Sequence, residues 1–174
     1  MRASVFIGAS VDGFIARAND ALDFLPEGGG EPHGYAEFFA SVDAVVIGRK
    51  TFEVVLAFDA WPYGDKRVVV LSSRALDFSS VRGGRVQQMS GDPAEIVARL
   101  AAGGVLHAYI DGGVTIQRFL RAGLVQSLII TRVPVLIGEG IPLFSSLPRD
   151  IRLRHVATQT YESGLVKSEY EILA

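Results

Sequence analysis

The sequence contains no cysteine, and its three histidines, His33, His107 and His155, lie far apart along the chain. The absence of cysteine excludes disulfide bonds, thiol catalysis and cysteine-ligated metal sites. The histidines lack the close spacing that is typical of metal-binding motifs. We therefore predict that the protein holds no structural metal ion.

The chain also has little net charge and no long apolar segment. It carries 17 Lys and Arg against 19 Asp and Glu, for a formal charge of -2, and it contains no basic run of the kind that binds nucleic acid. No stretch approaches the ~18 uninterrupted apolar residues of a membrane span, and the first apolar run, halted by Asp12, is too short for a signal peptide. We predict a cytoplasmic protein that binds a small-molecule substrate, without nucleic acid or membrane partners.

Length and apolar content predict one domain and a second subunit. A chain of 174 residues is long enough for a single domain, residues 1–174, with a substantial core. Hydrophobic residues make up 49% of the chain, and 19 glycines bring the apolar content above that of ordinary domains. Pro134 lies within an apolar run, residues 125–136, which predicts a long strand with either an open edge or a bulge at that point. We therefore predict a homodimer.

Strand and helix patterns alternate along the chain. The clearest helix begins at Asp92, with proline at the first helical position and Glu95 at the third, and Gly103 ends it. Alternation of this kind favours a largely parallel sheet covered by helices on both faces. The last two apolar segments predict an antiparallel hairpin. We expect strands at 3–9, 44–47, 67–71, 85–89, 106–110, 125–136, 151–161 and 166–173.

The first of two strand–glycine–helix junctions follows the predicted strand at 44–47. A strand pattern there runs through Gly48, Arg49, Lys50 and Thr51 into a helical pattern. A helix start has unpaired N–H groups and the positive end of the helix dipole, and here two cations and a hydroxyl are added. The junction is a candidate phosphate site. In the alternative interpretation, the glycine makes a tight turn and both cations are solvated.

The second junction follows the predicted strand at 106–110. Asp111, Gly112 and Gly113 come next, and consecutive glycines allow the backbone to approach a ligand closely, although a plain tight turn is the alternative. Ligands of open α/β sheets bind at the carboxyl ends of the strands. Neither a GxGxxG nor a P-loop pattern is present. We expect four strand ends along one rim, at residues 10–13, 48–51, 71–74 and 111–113.

Five segments in order resemble the dihydrofolate reductase-like superfamily, and most closely the branch related to the C-terminal reductase domain of bifunctional riboflavin-biosynthesis proteins. The resemblance covers nearly the whole chain. It implies an α/β, dihydrofolate reductase-like three-layer fold, with a mixed, mostly parallel sheet, helices on both faces and an antiparallel C-terminal hairpin. The segments are SVDGFIA (10–16), VIGRKTFE (46–53), VVVLSSR (68–74), YIDGGVTIQRFL (109–120) and VPVLIGEGIPLF (133–144).

The resemblance implies NADPH as the cofactor. Its phosphates would meet the helix starts, and an arginine with a hydroxyl would suit the terminal 2'-phosphate. Ala9 and Ile15 would lie beside the nicotinamide. The other cofactor-binding residues implied are Gly48, Arg49, Lys50, Thr51, Leu71, Ser72, Ser73, Arg74, Gly112, Gly113, Val114, Thr115 and Ile116.

The sequence departs from dihydrofolate reductases at the first helix. Those enzymes have a carboxylate there that engages the pterin, whereas this chain places Tyr35 or Gly28 near that position. In the riboflavin branch a Ser-x-Asp-Gly segment faces the substrate, which makes Asp12 the catalytic candidate. Asp12 could instead cap its own turn, since aspartate is common in turns for that reason.

The sequence therefore predicts an NADPH-dependent reductase that transfers hydride to a C=N or C=O bond of a small heterocyclic or sugar-derived substrate. Asp12 or a water molecule would supply the proton. The alternative class is a non-catalytic dinucleotide-binding sensor or assembly module that retains the cofactor rim. A third possibility, a true dihydrofolate reductase, is disfavoured by the missing helix carboxylate.

Overall fold

Ten strands and four helices lie in the part of the chain that the structure describes. A computed structural model describes residues 1–27, 30–81 and 83–173. The strands are β1 (Arg2–Ser10), β2 (Phe14–Ala16), β3 (Ala44–Gly48), β4 (Arg67–Leu71), β5 (Arg85–Met89), β6 (His107–Asp111), β7 (Ser127–Val133), β8 (Ile141–Pro142), β9 (Leu153–Thr160) and β10 (Val166–Ile172). The helices are α1 (Tyr35–Ser41), α2 (Arg49–Leu56), α3 (Pro93–Ala102) and α4 (Gly113–Arg121).

The main sheet has eight strands in the order β5-β4-β3-β6-β1-β7-β10-β9. The six strands from β5 to β7 are mutually parallel. β10 runs antiparallel to both β7 and β9, and a separate small sheet pairs β2 with β8. This topology confirms the predicted mixed, mostly parallel sheet with an antiparallel C-terminal hairpin.

Helices cover both faces of the sheet because its central strands are apolar on both sides. On β3, Val45 belongs to a hydrophobic cluster with Phe52 of α2, whereas the next residue, Val46, belongs to a second cluster with Ile96 of α3 and Phe119 of α4. All five side chains are buried. Burying a side chain of this size contributes about 1.5–3 kcal/mol. The predicted three-layer arrangement is confirmed.

The start of α3 forms as its sequence indicates. Asp92 is the N-cap and exchanges capping-box hydrogen bonds with Glu95, and Pro93 occupies the first turn. Gly103 is the C-cap. These local interactions satisfy backbone groups that a helix end otherwise leaves unpaired, so the sequence alone fixes where this helix begins and ends.

The prediction of a strand containing Pro134 was wrong. β7 ends at Val133, and the chain then turns, because the Val135 N–H donates to the Val133 carbonyl at 2.7 Å. β7 also lies inside the sheet, between β1 and β10, so it presents no open edge. The edge strands are β5 and β9, and all eight residues of β9 are exposed.

Within the described ranges, no helix combines the length and the apolar character needed to cross a membrane. Those same residues contain no group of three or more His, Asp or Glu side chains placed to hold a metal ion. The cytoplasmic location stays a prediction.

Candidate active site

The two strand–glycine–helix junctions open into one cavity of about 1000 Å³. β3 and β6 are adjacent and parallel, so their carboxyl ends meet at the same edge of the sheet. Residues 48–51 line the cavity from the start of α2, and residues 111–115 line it from the start of α4. Residues 30–37 also line the cavity, from the loop before α1 and the start of that helix. The expected rim is therefore present at these two junctions.

The two junctions pack directly against each other. A methyl group on Gly48 would lie 2.9 Å from Thr115 Oγ1, and one on Gly112 would overlap Thr51 Oγ1. Gly112 also has a φ of +90°, which side-chain-bearing residues rarely adopt. The second glycine pair was predicted either to let a ligand approach the backbone or to form a plain tight turn, and beside Gly112 a protein hydroxyl occupies the space that a side chain would take.

Gly113 has a similar packing role on the other side of the junction. A methyl group there would lie 3.1 Å from both Ile15 Cδ1 and Ile141 Cγ2. Those isoleucines belong to β2 and β8, so the small second sheet closes over the start of α4. Ile15, Gly113 and Ile141 all line the large cavity.

A smaller pocket of about 450 Å³ adjoins the large cavity. Arg49, Leu71 and Arg118 line both spaces, so the two are continuous. The Arg49 guanidinium pairs with Glu53 at 2.6 Å, and the Arg118 guanidinium donates to the Gly91 carbonyl at 3.1 Å. The complete lining of the pocket is Arg49, Leu71, Ser72, Ser73, Arg74, Ser90, Gly91 and Arg118.

Most of the predicted cofactor-binding residues face these two spaces. The large cavity is lined by Ile15, Gly48, Arg49, Lys50, Thr51, Leu71, Gly112, Gly113, Val114 and Thr115, and the small pocket by Leu71, Ser72, Ser73 and Arg74. Ala9 and Ile116 are instead fully buried in the hydrophobic core and line neither space.

Asp12 lies outside the lining of both spaces. Its carboxylate accepts hydrogen bonds from the backbone N–H groups of Ile137, at 3.3 Å, and Gly138, at 2.8 Å. Hydrogen bonding to the Ser10 hydroxyl and to these N–H groups lowers the pKa of Asp12 below its usual value. In this structure the carboxylate therefore connects the turn after β1 to the loop that follows β7.

Asp111 is the acidic group that the sequence analysis missed. It is the last residue of β6, lines the large cavity and accepts the Gly112 N–H at 2.8 Å. Burial raises the pKa of Asp111 to about 6, although the Gly112 N–H and the hydroxyls of Tyr109 and Tyr63 offset part of that shift. The signal in the sequence was a carboxylate directly after a buried strand, which we read as part of a turn.

Tyr35 occupies the cavity wall at the start of α1. Its ring contacts the rings of Phe6, Phe39 and Tyr109 at centroid distances of 5.4–6.4 Å. Burial, with the nearby Asp111 carboxylate, raises the pKa of Tyr35 to about 12, so its hydroxyl stays protonated at neutral pH. Gly28, the other residue aligned with the helix carboxylate of dihydrofolate reductases, lies outside the described residues.

The loop before α1 is fastened to the C-terminal hairpin. Glu31 accepts hydrogen bonds from the backbone N–H and the hydroxyl of Ser163, at 3.2 and 3.1 Å. Lys167 Nζ donates to the His33 carbonyl at 3.0 Å. Residues 30–34 of this loop lie in the cavity wall.

The sheet order and the pair of helix starts at one cavity define a dihydrofolate reductase-like protein of the α/β class. Residues 4–167 match the family model of the RibD C-terminal domain. The chain therefore belongs to the RibD C-terminal domain family, as the resemblance implied.

Two relatives that match this chain over 90% or more of both chains support this assignment. The uncharacterized protein YwjB of Bacillus subtilis (strain 168) is 32% identical over 160 residues, which is 90% of this chain and 90% of YwjB. The crystal structure of a putative riboflavin biosynthesis protein from Shewanella sp. PV-4 has a TM-score of 0.91, 35% identity and full coverage of both chains.

More distant structures share the fold alone. One is a diaminohydroxyphosphoribosylaminopyrimidine deaminase/5-amino-6-(5-phosphoribosylamino)uracil reductase from Thermotoga maritima, with a TM-score of 0.74 and 13% identity. The match covers 99% of this chain and 56% of the Thermotoga maritima chain. Dihydrofolate reductase from Enterococcus faecalis, complexed with NADP(H), has a TM-score of 0.67 and 19% identity over 99% of this chain and 97% of its own. The neighbouring proteins are reductases, and this chain has a reductase-like fold.

Proposed function

We propose that this protein is an NADPH-dependent reductase that transfers hydride to a C=N or C=O bond of a small heterocyclic or sugar-derived substrate. One observation carries the proposal. Two helix starts and a partly buried acid, Asp111, line the same cavity, and an arginine-rich pocket adjoins it. Relatives with this fold include a reductase complexed with NADP(H).

The residues present fit NADPH. The small pocket offers the arginines and hydroxyls that bind a terminal phosphate well, from Arg49, Arg74, Arg118, Ser72 and Ser73. The N–H groups at the starts of α2 and α4 would bind the pyrophosphate. When bound, NADPH would supply the hydride, and the protein would orient the reactants and stabilise charge.

Asp111 is the proton donor in this proposal. A general acid works best when its pKa lies near the working pH, and burial brings the pKa of Asp111 to about 6. Asp12, the residue that the sequence nominated, remains the competing prediction. Its carboxylate is exposed and hydrogen-bonded to the loop after β7.

Loss of NADPH absorbance on addition of candidate heterocycles and sugar derivatives tests the proposal. Oxidation that depends on both the protein and one added compound supports a reductase. Tight NADPH binding with no oxidation across the candidates would instead favour the non-catalytic dinucleotide-binding module.

Replacing Arg49 with alanine is expected to weaken NADPH binding by about tenfold and to leave NADH binding nearly unchanged. The two cofactors differ only in the 2'-phosphate, and a charge-assisted hydrogen bond contributes about 1.5–3 kcal/mol, less where solvent reaches it. Tenfold corresponds to about 1.4 kcal/mol. Fluorescence titration of both cofactors gives the dissociation constants.

Lys50→Ala is the matched control for Arg49→Ala. Lys50 lines the large cavity but not the small pocket, so its loss should weaken both cofactors to the same extent. Equal affinity of the unmodified protein for NADPH and NADH would refute the proposal that the small pocket binds the 2'-phosphate.

We also propose that the protein is a homodimer. Light scattering at micromolar concentration should give about 37 kDa, twice the mass of the 18.7 kDa chain. The exposed edge strand β9 carries Leu153 and Val156, which are 42% and 53% exposed. A charged side chain on an edge strand opposes pairing, so Val156→Lys is expected to shift the mass toward the monomer. A monomeric unmodified protein would rule out the dimer.

A further inference from the structure

The large cavity is divided by charge. Its lysine and arginine side chains, Arg49, Lys50 and Arg118, all come from α2 and α4, the helices proposed to hold the cofactor, and His33 lines the remaining part. The remaining part, here called the acidic half, is formed by Asp20, residues 30–37, Tyr63, Tyr109 and Asp111 together with neighbouring apolar side chains. The two halves therefore suit ligands of different charge.

The acidic half presents four carboxylates and, among its described lining residues, no lysine or arginine. Asp20 and Glu31 come from the segment before α1, Glu37 lies on α1, and Asp111 lies at the end of β6. Glu31 accepts hydrogen bonds from the backbone N–H and the hydroxyl of Ser163, and neither donor brings a positive charge to this half. An anionic group in this half would meet like charges.

The nearest lysines do not turn their charge into the cavity. Lys167 Nζ donates to the His33 carbonyl and pairs with Glu169 at 3.4 Å, and its side chain is only 12% exposed. Lys66 Nζ donates to the Val42 carbonyl at 2.7 Å and lies 4.9 Å from the ring centre of Phe39. Neither residue lines the cavity.

The apolar surfaces of the acidic half suit a flat ring. Phe6, Tyr35 and Tyr109 form a continuous aromatic group, with neighbouring ring centres 5.4 and 6.4 Å apart, and Leu25 and Phe58 add aliphatic and aromatic surface. Aromatic walls with a few polar groups are typical of sites that bind drug-sized planar molecules.

We infer that the substrate is a planar nitrogen heterocycle, neutral or cationic, that carries no phosphate group. This inference rests on the proposed reductase function and specifies its substrate class. It separates the protein from the Thermotoga maritima relative, whose reductase is named for a phosphoribosyl substrate. The ring nitrogens or amino groups of such a heterocycle can donate to the Asp111 carboxylate.

The physical reason is the cost of placing a phosphate dianion among carboxylates. Phosphate sites supply arginine, lysine or several N–H donors, because an ion removed from water needs charge-assisted hydrogen bonds in exchange. The acidic half offers carboxylates instead, and like charges repel more strongly as the surrounding dielectric falls. A heterocycle without a phosphate group, whether neutral or cationic, avoids both the loss of phosphate hydration and the repulsion by the carboxylates.

Matched pairs of ligands test the inference by calorimetry on the protein saturated with NADP⁺. One pair is 5-amino-6-(5-phosphoribosylamino)uracil and its dephosphorylated counterpart, and the other is 6-hydroxymethylpterin and its phosphate ester. In each pair we expect the unphosphorylated member to bind at least about tenfold more tightly. Tighter binding of the phosphorylated members, or no binding of either unphosphorylated member at about 1 mM, overturns the inference.

A charge substitution supplies the control. Glu37 is exposed and lines the acidic half, so Glu37→Lys should improve binding of the phosphorylated ligands about fivefold or more. Asp150→Lys makes the same charge change at an exposed residue outside the cavity lining and should have no effect. Equal effects of the two substitutions would contradict the inference.

Titrations repeated without NADP⁺ separate this inference from the proposed function. A protein that does not bind NADP⁺, or that oxidises no NADPH, contradicts the proposed reductase while the preference between paired ligands is still measured. A reductase that prefers the phosphorylated ligands contradicts only the substrate class.

Discussion

Replacing Gly112 with alanine is expected to lower the free energy of unfolding by about 2–6 kcal/mol. A φ of +90° costs a side-chain-bearing residue about 1–3 kcal/mol, and the new methyl group would overlap Thr51 Oγ1, adding about 1–3 kcal/mol of overpacking. Both costs arise where α2 and α4 begin. Urea unfolding at a fixed protein concentration measures the change.

Two further variants separate the two contributions. Gly104 has a φ of +83° with no atom close to the added methyl group, so Gly104→Ala should show the backbone cost alone. Thr51→Ala removes the overlapping hydroxyl and should recover part of the loss when combined with Gly112→Ala. If Gly112→Ala costs no more than Gly104→Ala, the proposed interlocking of the two junctions is wrong.

Replacing Asp111 with asparagine is expected to reduce kcat by about 10²–10⁴-fold, the usual contribution of a general acid. The amide keeps the shape and can still accept the Gly112 N–H, but it cannot donate a proton in turnover. With its pKa near 6, the wild-type carboxyl loses its proton as the pH rises, so wild-type kcat should fall above about pH 6. A pH profile with a heterocycle that supports NADPH oxidation tests this.

The same substitution should not unfold the protein. Because the pKa of Asp111 is raised on folding, its stabilising effect is complete below the ordinary value near 3.8 and is lost as the pH rises through about 6. At pH 7 to 8 the amide removes an unfavourable buried charge, so the thermal midpoint should stay the same or rise. A large fall in the midpoint would mean that lost activity reflects unfolding.

Asp12→Asn is the control that separates the two candidate acids. Asp12 is exposed and hydrogen-bonded to the backbone of the loop after β7, so its replacement should leave the pH dependence of kcat unchanged. Loss of turnover in Asp12→Asn together with activity in Asp111→Asn would instead establish Asp12 as the proton donor.

Local signals predicted much of the fold. The capping pattern around Asp92 acts within one turn, and the apolar run of β4 is bounded by turn residues, so both could be read from neighbouring residues. Pro134 was misplaced because an apolar run does not show where a strand ends. The Val135 N–H, which turns back to Val133, depends on a backbone conformation that the side chains do not reveal.

Most residues that line the cavity from the helix starts could also be read from the sequence, because they form short motifs at strand ends. The acidic half of the cavity could not be predicted from the sequence. Tyr35, Tyr63 and Tyr109 come from three distant parts of the chain, and only the folded sheet brings them to the wall of the cavity that Asp111 also lines. The burial that raises the pKa of Asp111 likewise exists only in the folded protein. Arg118 lies five residues after Gly113 on α4 and reaches the small pocket through helix geometry. The segment 109–120 contains Arg118, but no cofactor contact was predicted for it.

Transfer of deuterium from labelled NADPH tests the central claim most directly. The protein would be incubated with a heterocycle that it binds and with NADPH carrying deuterium at the reacting carbon of the nicotinamide, and the product would be analysed by mass spectrometry. A reductase of the proposed kind yields a reduced product with one deuterium for each NADPH consumed. Binding of both compounds without deuterium in any product would contradict the claim.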